Sequence, residues 1–153
     1  MADLFTHLVS VRVPGVLVRD RHLVALLAIG TFLPDLAAKG LYWILQSGSN
    51  FSIGSHSILG VLLLSYLACL FVEEPVRRSG FVMLLLGGLI HLAVDMAKDN
   101  FGAGAVFPFL PFSPAAVEWG WIQSENVIYL VPLDAVILGA ILLYERRRDR
   151  VRQ

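Results

Sequence analysis

The chain has 153 residues, 57% hydrophobic and 16% charged, with a mean hydropathy of +0.72, an apolar share above that of soluble domains. Twelve basic and twelve acidic residues leave a formal net charge of zero, which supplies no general attraction to nucleic acid or to an acidic surface. The single cysteine, Cys69, lies in an apolar run, so an intramolecular disulfide and a zinc-finger ligand set are both excluded. This composition points to an integral membrane protein.

The first residues, "MADLFTHLVSVRVPG", lack a basic region ahead of their apolar positions, and no cleaved signal peptide is expected. Leu4, Phe5, Leu8, Val9, Val11 and Val13, ended by Pro14-Gly15, suggest a short helix, either inserted into the membrane or lying on its surface. Four apolar segments follow, at roughly 23 to 38, 54 to 72, 81 to 97 and 126 to 144. At about 1.5 Å per residue, runs of about 17 to 19 residues approach the hydrocarbon thickness, and the first is slightly short. Backbone groups in lipid must be paired and the runs lack strand alternation, so helices are expected. The expected fold is all-α: a polytopic membrane bundle of four transmembrane helices plus the short N-terminal helix, in a single domain over residues 1–153.

Arg12, Arg19 and Arg21 precede the first segment, Arg77 and Arg78 separate the second and third, and Arg146, Arg147, Arg148, Arg150 and Arg152 follow the fourth. Only Lys39 and Lys98 fall at the other end, which predicts a cytoplasmic arginine side and C-terminus in the inner (plasma) membrane. The opposite connections carry Trp43, Trp119, Trp121 and several phenylalanines, side chains suited to a membrane-water interface. Pro108, Pro111 and Pro114 forbid a long helix in the outer loop at 99 to 125, which is expected to fold across the outer mouth.

Polar residues then sort by depth. Asp35, His56 and Asp95 fall near the outer ends of the first three segments, and His91 lies about one turn deeper. His91 and Asp95 share a helix face at i, i+4. Imidazole nitrogens and carboxylate oxygens suit zinc, and also manganese or iron, and a metal would offset the cost of placing such groups in lipid. A lone H-x-x-x-D is more often a helix-helix hydrogen bond; the coincidence of four residues at one depth favours a shared site. His22, beside Arg21, reads as interfacial, and Gly87 and Gly88 as helix-packing positions.

"DLFTHL", "GTFLPDL", "SHSILG" and "HLAVD", the last followed by a glycine-containing loop and "PF", occur in an order that resembles the YdjM-like family of membrane-bound, metal-dependent hydrolases, over the chain to about residue 112. The H-x-x-x-D element is more distantly similar to that of zinc-dependent phospholipases C. The resemblance implies a helical inner-membrane protein with a hydrolase site in which His7, Asp35, His56, His91 and Asp95 occupy the motif positions. Leu36 stands where many relatives place another acid, and "SHS" has one histidine without an upstream partner; both departures weaken the case for a second metal. A place for His7 in an outer-leaflet site requires the inserted form of the N-terminal helix.

The expected activity is hydrolysis of an ester or phosphoester through a metal-activated water, on a lipid or lipid-linked substrate entering from the outer leaflet. Asp99, Glu118 and Glu125 are candidate general bases or supporting groups. Asp134, roughly level with His91, is a candidate to orient that histidine or to bind the metal. A small proton- or metal-ion-coupled transporter, and a lipid-binding scaffold with a structural metal, are the alternatives. Membrane lipids are the expected partners, and nucleic acid is not.

Overall fold

A computed structural model describes residues 4–45, 53–99, 106–123, 126 and 129–150. Helices dominate: α1 (Leu4–Gly15), α2 (Arg21–Leu45), α3 (Ile58–Cys69), α4 (Glu74–Ala97) and α5 (Leu130–Arg150). Two short strands, β1 (Lys98–Asp99) and β2 (Ile122–Gln123), pair in parallel.

Among the described residues, two helices are long and apolar enough to cross a membrane, Arg21–Gly40 within α2 and Glu74–Ala97. The other two apolar segments form shorter apolar helical stretches than their composition suggested. Residues 54 to 57 do not extend α3, because Ser57 caps it: its hydroxyl accepts from the Gly60 N–H at 3.0 Å and donates to the Gly54 carbonyl at 2.8 Å. A side-chain cap of this kind fixes a helix start at the residue that follows. Helix α3 therefore has 12 residues. Helix α5 starts at Leu130 rather than near 126, and its apolar part ends before the basic run that begins at Arg146. Conversely, α4 starts earlier than the apolar run at 81, because Glu74 and Pro75 occupy its first turn, where an acid and a proline both favour initiation.

Glycines bring α2 and α4 together. A side chain at Gly30 would collide with the Leu84 backbone, and one at Gly87 with the Leu27 carbonyl. Close backbone approach at small residues drives helix association in lipid. Pro34, which cannot donate to the Gly30 carbonyl one turn back, lies inside α2 without ending it, so Asp35 is a helical residue. We expect Gly87→Ala to lower stability by about 1–3 kcal/mol through overpacking, more than the helix-propensity gain of about 1 kcal/mol, measured as thermal unfolding in detergent. At Gly88 the same crossing meets α3, where an added Cβ would lie 2.5 Å from Val61 Cγ1.

Helix α1 packs into the bundle. His7 and Val11 are buried, and two side-chain links fasten it to α5, Thr6 donating to Asp134 at 2.7 Å and Arg12 to Glu145 at 2.7 Å, while Arg148 donates to the Val16 carbonyl just past its end at 3.1 Å. A helix resting apart on a membrane surface would leave His7 exposed.

Beyond α4 the chain folds back over the bundle end. Trp119 and Trp121 donate their backbone N–H groups to the Met96 and Ala97 carbonyls at 2.7 and 2.9 Å, satisfying acceptors that a helix C-terminus leaves open. The Ile58 N–H donates to the Pro108 carbonyl at 2.9 Å. Val106 joins Val61 and Leu92 in a buried apolar cluster. On the outside, Leu63, Leu67, Phe71 and Val136 are more than half exposed, a density of bare apolar side chains that suits lipid contact.

Candidate metal centre

The crossing of α2 and α4 sets the site. Asp35 lies five residues beyond Gly30, and His91 lies four beyond Gly87, so both project just past the point of closest backbone approach. The Ser57 cap turns the chain so that His56 enters from α3, and the bundled α1 brings His7 from a fourth direction.

Four ligand-type atoms form a closed ring. His91 Nε2 is 3.2 Å from Asp95 Oδ2 and 4.0 Å from Asp35 Oδ1. His56 Nε2 is 3.4 Å from Asp35 Oδ1 and 3.7 Å from Asp95 Oδ2. With metal-ligand bonds of about 2.0–2.1 Å, a tetrahedral zinc site separates its ligand atoms by about 3.3 Å. The 3.2 and 3.4 Å edges match that value, and the 3.7 and 4.0 Å edges are longer. His7 Nε2 approaches the other oxygen, Asp95 Oδ1, at 3.4 Å, and its ring stacks on His91 with centroids 4.2 Å apart.

The donor set suits a divalent cation in a second way. Both ring nitrogens of His91 and Nδ1 of His7 are buried and make no hydrogen bond, and buried polar atoms are ordinarily satisfied. His56 Nδ1 lies 3.0 Å from the Ser55 hydroxyl; a ring nitrogen held this way leaves the other one free to coordinate. His7, His91 and Asp95, and separately Asp35, His56 and His91, each form a group able to hold a metal ion.

Two lysines accompany the carboxylates. Lys98 is 2% exposed, with Nζ 3.0 Å from Asp95 Oδ1. Lys39 Nζ is 3.2 Å from Asp35 Oδ2. The two ammonium groups balance the two carboxylates, and a divalent ion added to the cluster makes it net positive. Sequence reasoning counted both lysines only toward the charge distribution. The available signal was spacing, since Lys39 and Lys98 follow their aspartates at i+4 and i+3.

Other expected residues lie outside the cluster. Asp134 is buried, but its hydrogen bond comes from Thr6 rather than from His91; residues one apart on α1 point in different directions, so Asp134 fastens the helix that carries His7. Glu118 is solvent-exposed, next to the Trp119 backbone that caps α4. Asp99 is placed by its backbone in β1; its side chain and all of Glu125 lie outside the described residues. His22 is exposed at the arginine end.

A family model for the YdjM inner membrane protein matches residues 1–151. Comparison with curated proteins and with solved structures gives no match.

Proposed function

Because the chain belongs to the YdjM inner membrane protein family and so is a membrane protein, we propose that it is a membrane-embedded, metal-dependent hydrolase of an ester or phosphoester in a lipid or lipid-linked substrate. The observation that carries this reading is the ring of His91, Asp95, His56 and Asp35 atoms spaced 3.2 to 4.0 Å apart, with both ring nitrogens of His91 buried and outside hydrogen-bond geometry. These four residues would hold the metal, zinc first and manganese or iron next, and His7 would orient Asp95 or complete the set. When bound, the metal supplies Lewis-acid polarisation and lowers the pKa of a water.

The chain's own groups supply the rest. Ser55 fixes the His56 ring. Lys98, paired with Asp95 in a buried position, offers a positive charge to an incoming anion, which favours a phosphoester over a neutral ester. Asp99 and Glu118, both in sequence near the end of α4, are the carboxylates assigned to proton transfer in this reading. The test is hydrolysis of lipid ester and phosphoester vesicles by purified protein before and after chelation: activity that stops on chelation and returns with zinc supports the reading.

In this reading α2, α3, α4 and α5 traverse the membrane, α1 is re-entrant, the arginine end and C-terminus face the cytoplasm, and the site opens toward the outer leaflet. The ten-to-two division of basic residues supports that orientation. In a Cys69→Ser background, Phe112→Cys should react with an impermeant thiol reagent in intact cells and Arg147→Cys should not. The reverse labelling pattern would invert the topology.

One observation favours a second reading, an ion transporter. Thr31 and Ser65 are buried with unpartnered hydroxyls, deeper in the bundle than Asp35 and His56, and extend the polar line inward. Buried Leu27, Leu84 and Val24 lie further along the bundle, which argues against a continuous path. Chelator-sensitive ion uptake into proteoliposomes without lipid hydrolysis would favour transport.

A further inference from the structure

At the end of the bundle away from the metal centre, α1, α2, the turn between them and α5 border a half-open cavity of about 580 Å³, within the size range of small-molecule sites. Arg12, Arg19, Arg21, Arg146 and Arg148 line it, against one acid, Glu145. Arg12 engages that acid at 2.7 Å, and the excess of arginines over acids in the lining makes the cavity basic. Arg148 Nε is buried and makes no hydrogen bond, a donor that costs free energy unless something accepts from it. Between the arginines the walls are apolar, formed by Leu8, Val24, Leu138 and Leu142. Arg21 and Asp35 are fourteen residues apart on α2, about 21 Å along a helix, so this cavity is separate from the metal centre.

Helix-end electrostatics accounts for part of the arginine placement. Arg12, Arg146 and Arg148 lie near the C-termini of α1 and α5, where cations are favoured. Arg19 and Arg21 lie at the N-terminus of α2, where the helix dipole disfavours them. The Asp20 carboxylate between them caps that helix end, accepting from the His22 N–H at 2.8 Å, so helix capping meets the backbone donors there and leaves the two guanidinium groups unexplained by it. Basic residues from three segments thus surround one apolar-walled cavity in a membrane protein.

We infer that this cavity binds the phosphate headgroup of an anionic phospholipid. Guanidinium forks take the phosphate oxygens, and the leucine and valine walls take the glycerol and upper acyl chain. Basic pockets between membrane helices recognise headgroups in this way. A free phosphate shares the first half of that chemistry and makes no use of the walls.

The experiment follows thermal unfolding of the purified full chain in neutral detergent during titration with dioleoylphosphatidylglycerol, dioleoylphosphatidylcholine or inorganic phosphate. Phosphatidylglycerol should stabilise the protein saturably, with the other two ineffective over the same range. The double variant Arg19→Gln/Arg146→Gln should bind phosphatidylglycerol about 30-fold more weakly, and each single variant about 5-fold more weakly. Both positions are exposed, so the single variants give a result even where the double variant fails to fold. Arg147→Gln, on the same helix but outside the cavity, should change affinity less than about 2-fold. Equal stabilisation by phosphatidylcholine, or an equal loss in Arg147→Gln, would overturn the site. Stabilisation by inorganic phosphate equal to that by phosphatidylglycerol would overturn the lipid as its occupant.

Discussion

Asp95→Asn and His91→Ala should each strip the protein of its divalent metal, weakening binding by more than about 100-fold, beyond the about 10-fold to 100-fold that loss of a supporting partner costs. His91 Nε2 and Asp95 Oδ2 form the shortest edge of the ring, 3.2 Å, and Asp95 also faces His7 and His56. Removal of either breaks the set at a shared corner. Asp35→Ala and His56→Ala should act as strongly, since they provide the opposite edge at 3.4 Å. His7→Ala should cost about 10-fold to 100-fold, as an orienting partner does. Asp134→Asn, whose bond is to Thr6, and His22→Ala should leave the metal in place. Affinity should also fall on acidification, because an imidazole must shed its proton to coordinate. Elemental analysis and calorimetric titration of the purified variants measure all of these. Full metal retention in the His91→Ala/Asp95→Asn double variant would remove the basis of the metal centre.

Lys98→Met should separate metal binding from turnover. The buried ammonium pairs with Asp95 at 3.0 Å, so removing it leaves that carboxylate facing the imidazoles of His7, His56 and His91 and should destabilise the metal-free protein by about 3 kcal/mol. Added zinc replaces the lost positive charge and should recover most of that stability. Metal affinity should be unchanged or higher, since Lys98 no longer competes for Asp95. Hydrolysis of an anionic phosphoester should nonetheless drop about 10²-fold to 10³-fold, the scale on which loss of a charge-stabilising group acts, and Lys98→Arg should restore part of it. A purely structural lysine predicts a different outcome: normal turnover once metal has rescued the fold.

The sequence made the helical character and the His91–Asp95 pair legible for the same reason, that helical periodicity is local and needs no tertiary information. Helix ends were less legible. The Ser57 cap removed one turn from the second apolar run, and Glu74-Pro75 added two turns to the third, because capping depends on single polar residues rather than on hydropathy. The convergence of Asp35, His56, His91 and Asp95 was readable as a matter of depth; their ring geometry depends on the Gly30 and Gly87 crossing, which a list of apolar runs does not encode. Lys98 is not legible, because a lysine just past an apolar run reads as a solvated flank, yet it is 2% exposed, with its backbone paired to Ile122 and its Nζ on Asp95. For Asp134 depth alone misled: its height matches the site, but its direction is set by packing against α1.

The most direct measurement is turnover of vesicles containing lipid esters and phosphoesters by purified protein that has been stripped of metal and then reloaded. The account predicts hydrolysis that is absent after stripping, returns with zinc or manganese, prefers the anionic phosphoester, and fails in His91→Ala/Asp95→Asn at every metal concentration. Metal-loaded, folded protein that cleaves nothing across that panel, while carrying ions into proteoliposomes, would contradict it.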